Sequence, residues 1–243
     1  MRSIRHELPD EDLLYVGDSQ FAPYGDKPSQ LIRERAIAMT EFLTHQEAKA
    51  IVVACNTATG IAVDALRSRF EIPIVAIEPA VKPAASRTRS GVVGVLATTG
   101  TVSSSKLAKL VNRHGIDVRF LIQPCPGLAD QVEKGEISSE RTRSLVERYV
   151  VPLTAQGADV LVLGCTHYPF LRSVIQDVAG PGVEILDPAD AVARELHHRL
   201  EVGRLLARKG SQGTQRFFTT GARDTASAMM GQLWGEPVEV EGA

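Results

Sequence analysis

Short, almost wholly apolar runs alternate with stretches of helical spacing along most of this chain. They fall at 13–17 ("LLYVG"), 50–55 ("AIVVAC"), 72–77 ("IPIVAI"), 91–97 ("GVVGVLA"), 117–123 ("DVRFLIQ"), 159–165 ("DVLVLGC") and 183–188 ("VEILDP"). A strand that is apolar on both faces must be covered on both faces, so this rhythm restricts the chain to an α/β fold with parallel sheets between helical layers. The helical stretches are predicted through about 29–46, 58–69, 103–114 and 138–156, and from 169 onward. The chain's 243 residues suit two pseudo-symmetric lobes of about 100–120 residues each. The helix pattern at 189–204 and the late strand at 214–221 have no sheet of their own, so the tail is predicted to return to the first lobe. The expected division is 1–79 plus 187–243 for the first lobe and 80–186 for the second, with a flexible loop at 208–215.

A net charge of −2 and a charged content of 23% provide no field that would attract nucleic acid or an anionic membrane surface. No run is long and apolar enough to span a bilayer, and "MRSIRHELPD" has no apolar core for a signal peptide. A cytoplasmic location is therefore expected. The three cysteines, Cys55, Cys125 and Cys165, are odd in number and far apart, which argues for reduced thiols.

Two of those thiols stand in matching phrases. "AIVVACNTATGIAVDAL" (50–66) and "DVLVLGCTHYPFLRSVI" (159–175) each end a buried strand with cysteine, continue with polar residues that include threonine, and start a helix. In open parallel sheets ligands sit beyond the carboxyl ends of strands, where the next helix offers free N–H groups. Asn56, Thr57 and Thr166 are expected as helix caps, Pro169 suits a first turn, and a thiol there lies near a positive dipole end that favours the thiolate. The rival reading of either cysteine is a small buried hydrophobe, and Cys125 in "QPCPG" is read that way. Zinc on Cys55, Cys165 and His167 lacks a close-spaced fourth ligand, so no metal is expected. Two opposed thiols suit inversion of a stereocentre, in which one removes an acidic proton from one face while the other delivers one to the opposite face.

Five blocks in order carry a resemblance: "LLYVGDSQFAPYGDK", "VVACNTATG", "GVLATTGTV", "LVLGCTHYPFL" and "FFTTG". They resemble the signature blocks of glutamate racemases, in the aspartate/glutamate racemase superfamily. The resemblance implies two α/β lobes with the site between them, and interconversion of L- and D-glutamate for peptidoglycan without pyridoxal phosphate or any other cofactor. It implies Cys55 and Cys165 as the acid/base pair. It also implies substrate contacts from Tyr24 with Gly25, Asn56 with Thr57, and Thr166 with His167. Thr98 and Thr101 resemble threonines that hold the carboxylate, and Glu133 in "GLADQVEKGEI" matches a glutamate that assists the opposite cysteine, while His167 is placed to polarise or protonate near Cys165. From the residues alone other roles stand: helix capping for Asn56 and Thr57, surface packing for Tyr24, a core hydrogen bond for His167, and an ordinary strand-to-helix turn for Thr98 and Thr101.

The family's usual opening strand and Asp-Ser-Gly turn have no counterpart, and Asp18-Ser19 belongs to the second-strand block. The resulting expectation is an incomplete first lobe and weak activity. Alternatives are an aspartate racemase or related isomerase, or a truncated, non-catalytic protein that only binds ligand. Glutamate is the expected small-molecule partner, with a homodimer as the one macromolecular association considered.

Overall fold

The structure, a computed structural model, describes residues 1–115 and 117–243. The chain opens with α1 (Arg2–Glu7), β1 (Leu13–Gly17), α2 (Ser29–His45), β2 (Ile51–Val53), α3 (Asn56–Arg69) and β3 (Ile74–Ala76). A second set comprises α4 (Val81–Arg87), β4 (Val92–Ala97), α5 (Thr99–Val102), α6 (Ser105–His114), β5 (Arg119–Pro124), α7 (Leu128–Glu133) and α8 (Glu140–Thr154). It continues through β6 (Val160–Gly164), a 3-10 turn at Tyr168–Leu171, α9 (Arg172–Ala179) and β7 (Glu184–Leu186). The tail forms α10 (Ala189–Val202), β8 (Gln215–Thr219), α11 (Arg223–Trp234) and β9 (Val240–Gly242).

The second set builds a four-stranded parallel sheet in the order β5-β4-β6-β7. Every residue of β6 is buried, and the side chains divide by parity, as a pleated strand requires. Leu161 and Leu163 enter the cluster formed with α8, α9 and the 3-10 turn, while Val160 and Val162 enter the cluster under α4. Each such fully buried aliphatic contributes about 1.5–3 kcal/mol. This two-sided covering is why β6 reads as an unbroken apolar run.

The first lobe arranges its parallel strands differently. β1, β8 and β9 form one sheet and β2 with β3 another. α3 lays Ala58, Ala62, Val63 and Leu66 against Ile51 and Val53 of β2 and Ile32 and Ala36 of α2. In the tail, β8 pairs in register with β1, and α10 packs on α1 and β3.

Several local expectations change. The helix anticipated at 103–114 is α6, which begins at Ser105 because the Ser104 hydroxyl accepts the Leu107 N–H at 3.2 Å, and the short α5 precedes it. The segments α4, α5, α7 and α11 and the last strand are additions to the sequence reading. Among the described residues no helix is long and apolar enough to cross a membrane.

Candidate active site between the lobes

Cys55 follows β2 in extended backbone and is itself the cap of α3, its sulfur accepting the Ala58 N–H at 3.5 Å. Asn56 and Thr57 therefore lie inside the first turn rather than capping it. With the thiol meeting that orphan N–H, their side chains are released for other contacts. Asn56 is 5% exposed, and neither polar atom of its side chain has a hydrogen-bond partner among the described residues. Cys55 keeps some surface open to the cleft, yet burial pushes its thiol up to about 11, against the pull of the Ala58 N–H, and charge on Cys165 pushes the same way. The helix start alone does not make this cysteine a thiolate; here desolvation outweighs it.

Cys165 follows β6 on the other lobe and is 7% exposed. His167 Nδ1 lies 3.6 Å from its sulfur, and Nε2 lies 2.6 Å from Glu133 Oε1 at the end of α7. Burial lowers the basicity of His167, but the hydrogen bonds to Cys165 and Glu133 prevail and raise its pKa to about 10. At neutral pH the His167 imidazolium therefore stands between Glu133 and the Cys165 sulfur. Thr166 does not cap the turn that follows; its hydroxyl reaches across to donate to the Ala54 carbonyl at 3.0 Å, next to Cys55.

This row has a measurable consequence. Unfolded, histidine titrates near 6.5, so its stabilisation is complete below about 6.5 and is lost as pH rises through about 10. Melting temperatures from pH 6 to about pH 10.5 are expected to fall more for the parent chain than for His167→Asn, with Glu133→Gln in between. Parallel curves for all three would contradict the charge assignment.

A third group joins the lobes. The Thr57 hydroxyl lies 2.8 Å from that of Thr98 and 3.2 Å from that of Thr101, and Thr98 and Thr101 are 3.0 Å apart. Thr98 also caps α5, its hydroxyl accepting the Thr101 N–H. Beside them the Gly100 N–H donates to the Gly25 carbonyl at 2.8 Å. Tyr24 packs with Cys55 against the first-lobe core and gives its hydroxyl to Asp18. Burial, followed by the bond to Asp18, pushes the Tyr24 phenol far above its ordinary range.

The topology explains this convergence. From β4 the chain passes to β5 on one side and then to β6 on the other, so the carboxyl ends of β4 and β6 flank a switch point where open sheets leave a crevice. Thr98 and Thr101 leave one of those ends, Cys165 leaves the other, and Cys55 faces them from the end of β2. The structure brings Cys55, Thr57, Thr98, Thr101, Thr166, Tyr24 and Gly25 to the lobe boundary, and Glu133 to His167. Cys125 is 2% exposed, with its sulfur donating to the Gln123 carbonyl, as its packing role requires. Sequence reading gave no site role to Gly100, Asp18 or Arg35. Gly100 was legible only as part of a turn, and Arg35 joins Asp18 from a helix distant in sequence.

Comparison with known proteins bears on this site. Residues 1–196 match the Asp/Glu/hydantoin racemase family model. A glutamate racemase of Methylococcus capsulatus is 49% identical over 234 residues, covering 96% of this chain and 86% of the relative. A glutamate racemase structure from Bacillus anthracis superposes with a TM-score of 0.88 at 32% identity, covering 100% of this chain and 91% of that one. The Escherichia coli glutamate racemase, solved with L-glutamate and the activator UDP-MurNAc-Ala, gives 0.86 at 30% identity, covering 99% and 91%.

Proposed function

The chain belongs to the Asp/Glu/hydantoin racemase family, and from that premise we propose that it interconverts L- and D-glutamate through Cys55 and Cys165. The observation that carries this reading is the pair of strand-end thiols on opposite lobes, tied together by the Thr166 hydrogen bond to Ala54. The lobes divide at about residues 79/80 and 186/187, so the cleft lies at the two chain crossings.

In this mechanism the Cys165 sulfur, beside the His167 imidazolium, takes the α-proton first, and Cys55, whose thiol burial keeps protonated, gives one. Glutamate binds with its α-carbon between the sulfurs and its carboxylate on the hydroxyls of Thr57, Thr98 and Thr101. One sulfur removes the α-proton as the other supplies a proton to the opposite face, so the configuration inverts. The charge that develops spreads into the carboxylate, which the three threonine hydroxyls receive. Afterwards Cys55 carries the charge and Cys165 the proton. The Ala58 N–H on the Cys55 sulfur makes that state reachable, and the high proton affinity of Cys55 drives the return. Asn56, with donor and acceptor both unpaired, is assigned to the substrate's polar groups. The steps need no cofactor or metal. The product D-enantiomer suits supply to peptidoglycan in the cytoplasm.

Incubation with L-glutamate or L-aspartate, followed by chiral chromatography, tests the assignment. Glutamate is expected to approach an equal mixture of enantiomers, with aspartate at least about 100-fold slower, the scale a polar site reaches when its partners no longer fit. Faster aspartate turnover would move the chain to the sister activity, and no turnover of either would leave a binding protein.

A further inference from the structure

Asp18, just past β1, is where four segments meet. Its side chain is 7% exposed, and its carboxylate accepts the Tyr24 hydroxyl, a two-pronged Arg35 guanidinium at 2.9 and 2.8 Å, and the Thr220 hydroxyl at 2.8 Å. Its main-chain carbonyl receives the Phe21 and Ala22 N–H groups at 2.9 Å, and the Arg35 guanidinium stands 4.3 Å from the Phe21 ring centre. An ionised carboxylate this buried is tolerated only when fully paired. Here the pairing ties β1, α2 and the end of β8 to the 18–27 loop. Burial works against the charge, but the bonds from Arg35, Tyr24 and Thr220 hold the Asp18 carboxyl below its usual range.

The same loop is the first lobe's handhold on the second. One residue after Tyr24, the Gly25 carbonyl takes the Gly100 N–H at 2.8 Å, and a Cβ built on Gly25 would stand 3.2 Å from Thr98 Cβ. We propose that Asp18 and Arg35 are positioning residues for the racemisation. They latch the loop through Tyr24, so that Gly25 meets Gly100 and the hydroxyl cluster stays aligned with Cys55. The inference rests on the proposed reaction for its catalytic consequence, but the latch itself is a statement about geometry. A purely architectural pair, holding β1 to α2, would leave the second lobe unaffected.

Amide hydrogen exchange and kinetics on the full chain separate the two roles. Asp18→Asn is expected to speed exchange about tenfold or more in residues 20–27 and also in 99–102, across the cleft, and to lower kcat/KM about 10- to 100-fold. The loss must be equal in both directions, because the reaction's equilibrium constant is one. Arg35→Lys, which keeps charge but loses the fork, is expected to fall between parent and Asp18→Asn, and serves if the latter folds poorly. Asp18→Asn with Tyr24→Phe is expected to be no worse than the more damaging single change, since both break one chain of contacts. Lower melting temperatures with unchanged exchange at 99–102 and unchanged kcat/KM would overturn the latch, as would additive losses in the double variant. Should the parent chain racemise neither amino acid, the reaction assignment fails while exchange at 99–102 still decides the latch.

Discussion

Replacing Cys55 with alanine is expected to lower racemisation about 1,000-fold or more in both directions, and replacing Cys165 is expected to do the same. Each enantiomer needs a base on one face and an acid on the other, so neither sulfur is a spare. The two variants should nonetheless differ. Cys165→Ala leaves His167 and Glu133 without their sulfur, whereas Cys55→Ala leaves that row intact and removes only the cap of α3. Cys125→Ala is the control: its thiol is packed away from the cleft beneath Tyr168, and turnover is expected to survive. Chiral chromatography of product from the three purified variants makes the comparison. Retained racemisation in Cys55→Ala would remove that residue from the mechanism.

The second large effect is expected at Gly100. A Cβ there would sit 2.9 Å from the Gly25 carbonyl oxygen and 2.8 Å from the Thr57 methyl carbon, closer than real contacts allow. The methyl of Thr57 can turn; the main chain of Gly25 cannot move without shifting the loop that carries Tyr24. Gly100→Ala therefore wedges the lobes apart at the point where the hydroxyl cluster meets the first lobe. Displacement of about 1 Å in such a site costs about 100-fold in rate, and that is the expected loss in kcat/KM. Each lobe keeps its own core, so the melting temperature is expected to change little. Near-normal kinetics in Gly100→Ala would mean that the lobes do not need this contact.

Much of this architecture was legible because its physical causes are local. The strand Val160–Gly164 is apolar at both parities since helices cover both faces, and the cysteine beyond it stands out because it ends the apolar run. The late strand β8 was legible from its own apolar pattern, while its pairing with β1 is set by tertiary packing. Capping was read less well. Sequence favours Asn56 or Thr57 as the cap of α3, but the backbone turns one residue earlier and the thiol of Cys55 takes the N–H. The charge state of Cys55 depends on burial that no local pattern reports. The Asp18–Arg35 pair spans 17 residues and a strand-to-helix crossing, and Glu133 meets His167 over 34 residues. Such pairings arise from tertiary packing alone. α7, which delivers Glu133, is six residues long and follows Gly127 at a positive φ of 79°, so its periodicity is too short to register.

Exchange of the α-hydrogen in deuterated water, followed separately for L- and D-glutamate, tests the two-thiol account most directly. The parent chain is expected to place deuterium on both enantiomers as it inverts them. In Cys55→Ala the remaining Cys165 sulfur can still remove a proton from one face and return a deuteron to it, so one enantiomer exchanges without inversion. Cys165→Ala is expected to show the mirror pattern, with slow exchange confined to the other enantiomer. Exchange of the same enantiomer by both variants, or full exchange of both enantiomers by either, would contradict the assignment of Cys55 and Cys165 to opposite faces of the substrate.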